Sequence, residues 1–203
     1  TVADVAPLTG LNRAFVVKGI AVLRARKRRG LAALMDVARL VGPPQAWHLG
    51  FLLGPRINAG GRIGDAALGA KLLLTEDPAE ANRIAAELDR LNHERRAIEL
   101  ATVEAAQAEA DLALGSSGEG AAIVVAGEDW SPGIVGLVAS RLKEKFQRPA
   151  FAIALSGKTG TGSGRSIAGV DLGSAVRAAV EAGILVKGGG HAMAAGLTVA
   201  RGQ

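Results

Sequence analysis

The chain has 203 residues, 49% of them apolar and only 3% aromatic, with a net charge of +5 and no cysteine. That length holds one large domain or two small ones, each with a core, and the apolar share excludes a disordered chain. Disulfides and thiolate metal sites are excluded, a reducing cytoplasmic setting is the expectation, and no apolar run is long enough to span a bilayer.

The first residues, Thr1-Val-Ala-Asp-Val-Ala-Pro7, lack an initiator methionine and read as the end of a strand entering a loop, so the chain is expected to begin inside a domain. Helices are expected over 15–28 and 31–40. Between them, Arg24-Ala-Arg-Lys-Arg-Arg29 puts five basic residues in six. It reads first as a solvated helix end, since cations favour the C-terminal dipole, and alternatively as a phosphate-contacting patch. Pro43-Pro44 breaks the pattern. Leu53-Gly-Pro-Arg-Ile-Asn-Ala-Gly-Gly-Arg-Ile-Gly64, with four glycines and a proline, is expected to be a loop carrying Arg56, Asn58 and Arg62.

Asp77-Pro78 opens a long helix, with Asp as cap and Pro in the first turn. Apolar residues at Ala81, Ile84, Ala85, Leu88, Leu91, Ile98 and Ala101 keep helical spacing, and nothing breaks it before Gly115. An acidic, alanine-rich helix of this length most often joins two domains. Ser116-Ser-Gly-Glu-Gly120 ends it. Charge divides at the same places. Residues 1–75 hold 11 Lys/Arg against 3 Asp/Glu, residues 76–115 hold 4 against 10, and residues 116–203 hold 9 against 6. Basic ends suit a polyanion.

The last stretch reads β-α-β-β-α-β: strand 121–126, helix 132–146 capped by Ser131, strands 149–155 and 161–167, a helix from cap Asp171 to Glu181, and strand 195–200. Two segments within it invite an anion. Gly188-Gly-Gly190 lets backbone N–H groups converge without Cβ interference, His191 adds a titratable donor and Lys187 a fixed charge. Gly160-Thr-Gly-Ser-Gly-Arg-Ser166 places glycines inside a strand, where they often mark a closely approaching ligand or backbone. Arg165 is a bidentate anion binder, and Ser163 and Ser166 could add hydroxyls. Trp130, in Gly127-Glu-Asp-Trp-Ser-Pro-Gly133, is either a stacking surface or a tryptophan buried under a loop. His48, His93 and His191 are far apart, and no carboxylate cluster offers a two-metal centre. With so few aromatics, a bound strand would be gripped by its phosphates.

Thr1–Leu8 with Asn12-Arg13, Gly54-Pro-Arg-Ile-Asn-Ala-Gly-Gly-Arg-Ile-Gly64 and Leu88-Asp-Arg-Leu-Asn-His-Glu-Arg-Arg96 resemble the RecJ family, single-strand-specific 5′-to-3′ DNA exonucleases of the DHH phosphoesterase superfamily. Trp130–Gly136, Gly162–Ser166 and Gly189–Gly196 resemble its DHH-associated domain; the last block is shared with oligoribonucleases and the C-terminal part of alanyl-tRNA synthetases. The resemblance implies an α/β fold: a helical remnant of an α/β catalytic domain (1–75), a long connecting helix (76–115), then a small mixed-sheet β-α-β-β-α-β substrate-binding domain (116–203). It implies Mn²⁺ or Mg²⁺ in the full-length enzyme, on ligands upstream of residue 1, with Asp4 as the possible single remaining ligand. This fragment alone is then expected to be inactive and to bind no metal. Single-stranded DNA is the implied partner. Arg165, His191, Gly188, Gly189 and Gly190 would hold the phosphate near the scissile bond, with Asn58 and Arg62 facing the same cleft. The alternatives are an RNA-binding module like that of alanyl-tRNA synthetases, or a phosphoesterase acting on dinucleotides.

Overall fold

The computed structural model describes residues 2–3, 5–115 and 120–203. The chain divides into two compact units, residues 1–96 and 97–203. Among the described residues no helix is long and apolar enough to cross a membrane.

The first unit is helical: α1 (Gly10–Arg24), α2 (Arg29–Val37), the short α3 (Ala46–His48), one π-helical turn (Leu49–Leu53), α4 (Gly54–Ile63), α5 (Leu68–Leu74) and the first part of α6 (Pro78–Leu114). Its core joins Leu34, Leu53, Leu72, Ile84 and Leu88, all fully buried, so α2, the π turn, α5 and one face of α6 share one apolar centre. The long helix runs as its periodicity predicts. The Asp77 carboxylate accepts from the Ala79 N–H at 2.9 Å, capping its start.

The basic run is solvent-exposed throughout: Arg24 closes α1, as the helix-end reading expects, and Arg29 opens α2. It is the connection between α1 and α2, with Arg26 in the left-handed region (φ 53°). Three of its guanidinium groups make tertiary contacts: Arg24 with the Pro44 carbonyl (3.4 Å), Arg26 with Asp36 (2.5 Å) and Arg28 with the Leu73 carbonyl (2.9 Å).

The segment expected as a loop, 53–64, is helix α4. Pro55 sits at its first turn, where a missing N–H costs least, and the π turn directly before it loosens the hydrogen-bond ladder. The glycines permit close packing. A Cβ on Gly54 would lie 2.6 Å from the Leu49 carbonyl oxygen, one on Gly60 2.6 Å from that of Asp65, and one on Gly64 2.9 Å from Leu91.

The second unit continues α6 and adds β1 (Ile123–Gly127), α7 (Val135–Phe146), β2 (Ala150–Ser156), β3 (Thr159–Arg165), α8 (Leu172–Glu181), β4 (Lys187–His191) and β5 (Ala194–Ala200). The sheet order is β1-β2-β3-β5-β4, with β1 parallel to β2 and every other pair antiparallel. This is the expected mixed sheet with one strand more: the glycine run 188–190 lies in edge strand β4, not in a turn. Because successive residues alternate faces, the sheet has two distinct sides. Ala150, Ala152 and Ala154 face α7, where Val138, Ala139 and Leu142 are buried. Phe151, Leu197 and Ala195 face the other way, onto Leu172 and Val176 of α8. The Asp171 carboxylate caps α8 by accepting from the Ser174 N–H (3.0 Å) and Oγ (2.8 Å). These bonds, with Arg177 nearby, hold its pKa below the ordinary carboxylate value.

Candidate functional site

Strand register assembles the site. Arg165 on β3 pairs with Ala194 on β5, which pairs with His191 on β4; one step along, Ser163 pairs with Gly196 and Gly196 with Gly189. These six residues lie on the α7 side of the sheet. Arg165 and His191 stand two strands apart, about 10 Å at the usual strand spacing, with only Ala194 between their Cα atoms. Gly136, in the first turn of α7, closes one side: a Cβ there would lie 2.9 Å from Arg165 Nη2 and 3.2 Å from Ser163 Oγ.

Arg165 is half-buried. Its Nη1 donates to Ser163 Oγ (2.8 Å) and to the Gly164 carbonyl (2.9 Å). No carboxylate pairs with it among the described residues. Burial alone pulls its pKa below the ordinary arginine value, and a guanidinium remains charged at neutral pH. A desolvated cation without a counter-charge favours an anion. Exposed His191 accepts from the Met193 N–H on Nδ1 (3.3 Å), so its neutral ring carries the proton on Nε2. The hairpin turn behind it is fixed: Ser166 N–H donates to the Met193 carbonyl (3.0 Å) and Leu172 N–H to that of Ala192 (3.1 Å).

The glycines separate into two groups. Gly160, Gly162 and Gly164 face the side carrying Phe151 and α8, where a Cβ would strike Ile153 (2.6 Å), Leu197 (2.8 Å) and Phe151 (2.4 Å) respectively. Gly188 and Gly190 are on that side too, against Val176 (2.6 Å) and the Ala194 carbonyl (2.2 Å). Packing explains all five. A strand also points successive N–H groups in opposite directions, so Gly188–Gly190 do not form a converging nest. Gly189 and Gly196 point to the open side. A Cβ on Gly189 would meet nothing within 4 Å, and one on Gly196 only the Gly162 oxygen at 3.9 Å. The fold does not need these two bare; an occupant of the open face would.

The other sequence-predicted residues are elsewhere. Arg56 is buried in α4, its Nε on Asp89 Oδ1 (2.8 Å) and its Nη1 on the Leu52 carbonyl (2.8 Å). Asn58 is exposed and Arg62 half-buried on α4, both in the first unit. Ser166 is buried and donates to the Val170 carbonyl (2.8 Å), so it offers no free hydroxyl. Trp130 is half-buried with its indole against Gly127, where a Cβ would fall 2.3 Å from the ring. Asp4 lies outside the described residues. Among the described residues no three His, Asp or Glu side chains converge on a possible metal position. Those described donors do not make up a hydrolytic metal centre. Gly189's distinction from its neighbours was the feature missed at first; the alternation of strand faces would have found it had β4 been read as a strand.

Residues 119–203 match the DHHA1 domain model. Across 98% of its length the chain is 42% identical to the single-stranded-DNA-specific exonuclease RecJ of Dickeya dadantii and 39% identical to that of Thermus thermophilus. It spans 36% and 28% of those proteins, about a third of their length. Its fold is similar to the crystal structure of RecJ in complex with Mg²⁺ from Thermus thermophilus (TM-score 0.83, 38% identity, 98% of this chain and 30% of that one). It is similar also to exonuclease RecJ bound to manganese (TM-score 0.81, 39% identity, 98% of this chain and 48% of that one).

Proposed function

We propose, for a chain whose residues 119–203 are a DHHA1 domain and which aligns with RecJ along nearly its whole length, that it is the strand-holding part of a single-stranded-DNA-specific exonuclease. The observation that carries this reading is a half-buried guanidinium with no carboxylate partner among the described residues, beside a strip of glycine that the fold leaves bare. A backbone phosphate of the substrate sits against Gly189 and Gly196. Arg165 neutralises it, Ser163 steadies the guanidinium, and His191 Nε2 donates a hydrogen bond from the far side. In the whole protein a Mn²⁺ or Mg²⁺ ion would supply the activated water. No hydrolytic step is assigned to the residues described here. The setting proposed is DNA repair and recombination in the cytoplasm.

Fluorescence anisotropy of a labelled single strand at two salt concentrations tests this, with wild type, Arg165→Ala and His191→Ala. Each variant should bind at least about tenfold more weakly, the loss expected for one charge-assisted contact. Wild-type affinity should fall as salt rises. Equal affinity in all three would sink the proposal, and a clear preference for tRNA over single-stranded DNA would replace it with an RNA-binding module.

A further inference from the structure

We infer that Lys187 holds a second phosphate of the strand, at the far end of a trough that runs along β4 and β5. The inference rests on the reading above. On the open face, β4 presents Lys187, Gly189 and His191 in succession, and β5 presents Thr198, Gly196 and Ala194 beside them. The trough floor is therefore glycine in the middle. One end carries His191 and Arg165; the other carries Lys187, Thr198 and, across on β3, Thr161. Lys187 lies four residues from His191 along an extended strand, about 13 Å at the rise of a strand. The two ends therefore offer separate cations, and on this reading they hold different phosphates of one chain. Lys187 is exposed and makes no ion pair among the described residues, whereas Arg201, which follows β5 at this end of the sheet, is paired with Glu128. Thr198 and, one strand further, Thr161 add hydroxyls on the same face. A flexible ammonium at this end follows the backbone without fixing its geometry, while the planar guanidinium fixes it at the other. Strand length is then measured by the trough: a dinucleotide fills the Arg165 end only, and a longer strand reaches Lys187.

Lys187→Gln tests this beside Lys143→Gln, which removes the same charge from the last turn of α7. The probes are a labelled thymidine dinucleotide and a labelled thymidine octanucleotide. Lys187→Gln should weaken the octanucleotide at least about fivefold more than Lys143→Gln does, and leave the dinucleotide within twofold of wild type. For the octanucleotide the slope of log K against log salt should shrink by about 0.7, one released counterion on a single strand. Equal loss for both probes, or a Lys187→Gln indistinguishable from Lys143→Gln while Arg165→Ala still loses binding, would overturn this inference alone. No octanucleotide binding by wild type would overturn the reading beneath it as well.

Discussion

Gly189 and Gly164 belong to one sheet and answer to different constraints. At Gly164 a Cβ would fall 2.4 Å from the Phe151 ring and 2.6 Å from Leu172, inside the apolar layer under α8. Gly164→Ala should therefore destabilise the protein by about 1–3 kcal/mol, the usual cost of overpacking. At Gly189 the same methyl meets nothing within 4 Å, so Gly189→Ala should leave the unfolding free energy within about 0.5 kcal/mol of wild type and still weaken DNA binding. Paired urea melts and anisotropy titrations check both. If Gly189→Ala bound like wild type, the bare strip would be incidental. The sequence shows both glycines equally. It signalled that something approaches the backbone closely, but a neighbour in the core and a ligand outside leave the same mark. Only the face on which each Cα lies separates them, and that requires knowing that 187–191 is a strand. Arg165 and His191 stand out in the sequence as candidates because charged and titratable groups among glycines have few structural uses. Arg56 was legible as a buried cation only once Asp89 was seen opposite it.

The elements that sequence reading captured best are those whose ends carry local chemistry. α6 is capped by Asp77 and α8 by Asp171, and both were placed from those residues. α4 was misread because its glycines reflect contacts with other elements, which sequence pattern does not carry. Its one buried charge follows from the same packing. The Arg56 side chain is 7% exposed and its Asp89 partner 24%, tying α4 to α6. Arg56→Ala leaves the partly buried Asp89 carboxylate with only the His93 ring, 3.7 Å away, and should cost roughly 2–4 kcal/mol, toward the range for breaking a buried pair. The folded fraction should bind DNA normally. Loss of binding without loss of stability would return Arg56 to the ligand site. The α8 cap makes a prediction with a definite sign. The Asp171 pKa is depressed in the fold, so its contribution is present above the unfolded carboxylate value, near 4, and is lost as pH falls through the lower folded value. Asp171→Asn should thus be less stable than wild type at pH 6, and the gap should narrow by pH 3. A gap that is constant with pH would mean the charge contributes nothing.

At the scale of the molecule, net charge and the candidate site lie in different units, so experiment can distinguish a built site from a sticky surface. Residues 1–96 hold 15 Lys/Arg against 9 Asp/Glu, a net +6, while residues 97–203 hold 9 against 10, a net −1. Binding by bulk charge would favour the first unit; binding by the Arg165 trough belongs to the second. Where to divide the chain follows from what α6 gives the sheet unit. Ala106 and Ala110 are fully buried, Glu109 accepts from the Ala126 N–H (3.3 Å), and Asp111 pairs with Lys145 (3.0 Å). A piece spanning 97–203 keeps all of these; one spanning 116–203 loses them. The longer piece should unfold in one cooperative transition and retain salt-dependent binding that Arg165→Ala abolishes, despite its negative net charge. The shorter should unfold at lower urea or fail to fold. If 97–203 folds cooperatively and does not bind, while residues 1–96 do, then the trough is not the grip and the basic helical unit is.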